Sequence, residues 1–149
     1  MTRTELQDQL TVMLGGRAAE EITFHGEIST GASNDLERAS ELARQMVTRF
    51  GMSDRMGHMT YGKPLTGRFL ESPFASEQRN YSEKTAEEID EEVQKLIDEC
   101  FNRSREIILR RHFELENIAK ELIKKETLDR SELDQLLRET ALSNKALTI

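Results

Sequence analysis

The chain has 149 residues, enough for one domain with a core of its own. Hydrophobic residues make up 36% and charged residues 33%, aromatics only 5%, and Trp is absent; this suits long amphipathic helices with an aliphatic core and disfavours a strand-rich fold. A formal net charge of −7 and a sequence pI near 5.1 argue against a nucleic-acid binder and against a basic membrane-surface module, both of which need a surplus of Lys and Arg.

The first periodic segment, from about Glu5 to Glu21, places Leu6, Leu10, Met13, Leu14 and Ala18 at steps of three and four, one face of a helix. Gly15 and Gly16 weaken its middle by about 1 kcal/mol each relative to Ala, a cost best tolerated where another backbone comes close. Residues 23–33 read as a loop punctuated by Gly26 and Gly31, with Phe24 available as an anchor. Leu36, Ala39, Leu42, Ala43, Met46, Val47 and Phe50 then predict a second helix, capped by Ser33 or Asn34 and released at Gly51. Asp35 and Glu37 in its first turn suit the positive end of the helix dipole.

Residues 52–81 hold both prolines and no sustained period, which predicts a long irregular connector with a short strand or hairpin near His58-Met59-Thr60-Tyr61. A third helix starts at a Ser82 cap and carries Ala86, Ile89, Val93, Leu96, Ile97, Cys100, Phe101, Ile107 and Ile108 on one stripe. Its acids crowd the start and its arginines the end, matching the dipole at both poles. A fourth helix follows over Leu115, Ile118, Ala119, Leu122 and Ile123. A short fifth runs from the Asp129-Arg130-Ser131-Glu132 capping box through Leu137, and residues 141–149 are expected to be a disordered tail. The expected fold class is all-α, a bundle of about five helices with a long connector.

No apolar run approaches the roughly 20 residues that cross a bilayer, and no signal-peptide core follows Met1, so a cytoplasmic chain is expected. The single cysteine, Cys100, excludes an intrachain disulfide and reads as core packing. Three histidines, His25, His58 and His112, are too far apart to place two imidazoles on one helical turn, and no H-E-x-x-H helix is present. His25 lies in the loop before Asp35; His58 and His112 read as a loop and a helix-end residue. No nucleophile elbow and no phosphate-binding glycine loop occurs. By spacing alone Asp35 is a dipole-stabilising carboxylate that needs no further role.

Four motifs in one order change that reading. They are Leu14-Gly15-Gly16-Arg17-Ala18-Ala19-Glu20-Glu21, Ser29-Thr30-Gly31-Ala32-Ser33-Asn34-Asp35-Leu36, the run from Ala43-Arg44-Gln45-Met46-Val47 to Phe50-Gly51-Met52-Ser53, and Tyr81-Ser82-Glu83-Lys84-Thr85-Ala86-Glu87-Glu88-Ile89-Asp90-Glu91-Glu92-Val93. Together they closely resemble the peptidase domain of FtsH-type ATP-dependent zinc metalloproteases, over roughly residues 5 to 138. In the connector, Gly67-Arg68-Phe69-Leu70 stands where that family often has an aromatic-Leu-Gly-Arg order.

The resemblance implies a membrane anchor and an AAA+ ATPase module ahead of a mostly helical peptidase domain, assembled as a hexamer on the cytoplasmic face of the inner membrane. It also implies a zinc ion held by two histidines of an H-E-x-x-H helix and by an aspartate in the Gly-Ala-Ser-Asn-Asp stretch. Carried onto this sequence, that aspartate is Asp35, the metal ligand; the histidines and the catalytic glutamate are expected upstream of Met1. Residues 1–140 are accordingly expected to be the C-terminal part of a zinc-metallopeptidase domain, inactive alone and without ATP chemistry of its own. Its expected partners are the upstream segments of the parent protease and unfolded or membrane protein substrates. The alternative is a catalytically dead helical adaptor or assembly module.

Overall fold

Thr2 opens the first helix by a reciprocal cap: its hydroxyl accepts the Glu5 backbone N–H at 3.2 Å while its own N–H donates to the Glu5 carboxylate at 2.6 Å. In this computed structural model, which describes residues 1–63 and 79–147, that helix is α1, Arg3–Met13, and α2 follows at Gly15–Thr23. The sequence predicts one helix here. The helix is instead interrupted at Leu14, whose backbone (φ −82°, ψ −8°) lies at the edge of the helical region. Hydrogen bonds from Leu14 N–H to the Leu10 carbonyl and from Ala18 N–H to the Leu14 carbonyl, both 3.0 Å, span the break.

The two glycines after the break do not serve a close approach among the described residues. A methyl group at Gly15 would sit 3.7 Å from the Ser104 hydroxyl oxygen, ordinary contact, and one at Gly16 would meet nothing within 4 Å.

A 3-10 turn at Thr30–Ala32 leads into α3, Ser33–Thr48. No side-chain oxygen caps α3, contrary to the expectation for Ser33 or Asn34, because the 3-10 turn already carries Ser33 into helical geometry. Gly51, at φ 60°, takes the chain out of the helix. The expected strand near His58 does not form. The residues there are turn and extended loop, with Gly57 at φ 73° and the Tyr61 N–H bonded to the Thr48 carbonyl at 2.8 Å. Residues 64–78, with the Gly67–Leu70 stretch, lie outside the described residues.

Helix α4, Glu83–Arg110, begins where Ser82 accepts the Thr85 N–H at 3.2 Å, and its 28 residues make a rod of about 42 Å. α5, His112–Lys125, ends at Glu126 with φ 66°. α6, Arg130–Leu147, starts where the Asp129 carboxylate accepts the Glu132 N–H at 2.8 Å. It continues well past Leu137 through residues expected to be a tail, since this stretch holds Ala, Leu and Lys and neither Gly nor Pro.

The chain divides into two compact units, Met1–Ser104 and Arg105–Ile149. In the first, the stripes of α1 (Leu6, Leu10, Leu14), α3 (Ala39, Ala43, Met46, Val47) and α4 (Ile89, Val93, Cys100) close on one another with Met56. At about 25 cal/mol per Å² of apolar surface, this cluster is the main stabilising feature of the unit. In the second, α5 and α6 pair as an antiparallel hairpin whose facing Asn117 amide donates to the Thr140 hydroxyl at 3.0 Å. α5 has no buried residue. The all-helical class expected from composition and period is what the structure has, and no helix among the described residues is long and apolar enough to cross a membrane.

Candidate functional site

Asp35 stands in the first turn of α3, and the route of the chain to it is locally fixed. At the end of α2 the Glu20 carboxylate accepts the Ser29 backbone N–H at 2.7 Å, and the Ser29 hydroxyl then accepts the Gly31 N–H at 3.1 Å. His25 (φ 54°) and Gly26 (φ 92°) reverse the chain between these anchors. The small Ala32, buried, lets the turn settle against the unit before α3 begins. Asp35 is half-buried.

Its carboxylate lines an open groove of about 460 Å³ between α1 and α3, together with Asp8, Gln9, Val12, Met13 and Arg38. Val12 and Met13 are its apolar lining, and Asp8, Asp35 and Arg38 its charged lining. Val12 is 79% exposed. It is out of phase with the Leu6, Leu10, Leu14 stripe that faces the core, so α1 presents a second apolar edge beside Asp35. Asp8 is already engaged, with Arg103 at 2.7 Å.

Spacing alone gave no hint that α1 forms the other wall of this groove. The out-of-phase valine is the one signal in the sequence that could have found it, since an apolar residue off the stripe of an amphipathic helix marks a second contact face. Leu10 is fully buried, and Val12 carries the apolar exposure of this end of α1.

The histidines do not join Asp35. His25 is exposed in the loop, on a different groove with Glu20, Thr23, Phe24, Glu27, Ile28 and Ser29. His58 is exposed in the loop after α3, and His112 pairs its Nδ1 with Glu116 at 3.5 Å on α5. Among the described residues no three His, Cys, Asp or Glu side chains converge as a metal ion requires. A zinc ion therefore does not fit the described side chains by themselves. Of the two carboxylates on the groove, Asp8 is paired with Arg103, and Asp35 is the donor offered to a site that needs further ligands.

Cys100 is buried against α1, its Sγ 3.7 Å from the Gln7 carbonyl, and burial raises the thiol above its ordinary titration range. It is an inert core side chain, as its place on the apolar stripe implied.

The family model described as Peptidase family M41 matches residues 1–136. The ATP-dependent zinc metalloprotease FtsH of Pseudothermotoga lettingae is 46% identical over 93% of this chain, which corresponds to 22% of that protein. The protein of the same name from Thermotoga maritima is 46% identical, again over 93% of this chain and 22% of its own length. That of Bacillus subtilis is 47% identical over 91% of this chain and 21% of its length. The chain thus spans about a fifth of the relatives it matches. A match over nearly the whole sequence assigns the chain to the M41 peptidase family, the FtsH-type zinc metalloproteases.

Proposed function

We propose that this chain is the C-terminal portion of the peptidase domain of an ATP-dependent, membrane-associated zinc metalloendopeptidase that degrades unfolded or surplus proteins. In this reading Asp35 supplies the carboxylate ligand of a zinc ion whose remaining ligands, and the ATPase module, belong to polypeptide beyond these residues. The parent is a homo-hexamer anchored on the cytoplasmic face of the inner membrane. The observation that carries the reading is the half-buried Asp35 carboxylate on an open groove whose α1 wall exposes Val12. An exposed apolar edge beside a carboxylate donor suits a packed neighbour that also brings ligands.

Bound zinc supplies a polarised water in hydrolytic sites that hold three protein ligands. In this reading the described residues provide one of the three. What they contribute is position. The Glu20 to Ser29 and Ser29 to Gly31 hydrogen bonds fix the entry to α3, and the helix then sets the direction of the carboxylate.

The test compares the chain alone with a chimera in which it replaces the matching portion of the Bacillus subtilis relative. Zinc content and casein hydrolysis are measured for both. The chain alone should bind no stoichiometric zinc and cleave nothing, and the chimera should do both. Asp35→Ala in the chimera should cut hydrolysis by more than about 100-fold, since loss of even an outer-sphere partner costs 10- to 100-fold. Stoichiometric zinc in the chain alone, or an active Asp35→Ala chimera, would sink the assignment.

A further inference from the structure

We draw no further inference here: the strongest candidate, the exposed apolar groove that Phe24 and Ile28 line in the loop between α2 and the 3-10 turn, carries nothing because nothing in the structure shows what covers it.

Discussion

Two single residues show how far chemistry follows from surroundings. Asp35 and Cys100 are both groups that ligate metals or react in other proteins, and their environments separate them. Cys100 lies in the closed cluster of α1, α3 and α4, where burial holds the thiol in its neutral form. Because the thiolate is the reactive species, iodoacetamide at pH 8 should leave Cys100 unmodified in the native chain and alkylate it fully in urea. Prompt native labelling would show that the cluster opens at Cys100. Asp35 faces a groove, and here the sequence was only half legible. Its place in the first turn of a helix could be read from the periodicity of α3. Its proposed role as a ligand could not, because one carboxylate at a helix start has a sufficient explanation in the dipole; only the ordered motifs around it pointed further.

Helices were legible wherever an apolar stripe was sustained, as in α3 and α4, since the same periodicity that marks the sequence builds the core. Ends and breaks were less so. The break at Leu14 keeps the Leu14-to-Leu10 and Ala18-to-Leu14 hydrogen bonds, so nothing in the spacing of Leu10, Leu14 and Ala18 betrays it. The extension of α6 was missed because it rests on residue propensity after the stripe has faded. At Gly16 the open space gives a direct test. Gly16→Ala puts a methyl group where nothing stands within 4 Å and removes a helix penalty of about 1 kcal/mol, so the isolated chain should melt about 2–4 °C higher. A drop would mean that position 16 is covered in solution.

The start of α1 carries a pH dependence. Hydrogen bonds from the Thr2 backbone N–H and then from its hydroxyl hold the Glu5 carboxyl below its ordinary value. A carboxylate depressed on folding stabilises above its unfolded pKa, and that contribution is lost as pH falls through the folded value. Glu5→Ala should therefore lower the thermal midpoint at pH 7, and the gap from the parent chain should close as the pH is taken through about 4 and below. Circular dichroism melts at both ends of that range check it; a gap that does not change with pH would mean the charge on Glu5 contributes nothing.

Over the whole molecule, stability is uneven. The unit Met1–Ser104 holds the interlocked stripes, while in Arg105–Ile149 α5 buries no residue and Thr140 is the one fully buried position among the side chains described there. Local opening follows buried contact, so in hydrogen exchange followed by mass spectrometry the amides of α5 should exchange well before those of α1 and α3. Uniform protection across both units would contradict this. The latch from Glu20 to Ser29 has the opposite effect on the stretch that leads to Asp35. Because the backbone there is pinned by this chain's own hydrogen bonds, the ordering entropy of that arm is spent during folding. If Asp35 ligates zinc as proposed, the cation meets backbone that is already ordered, and its affinity is not reduced by having to immobilise that arm.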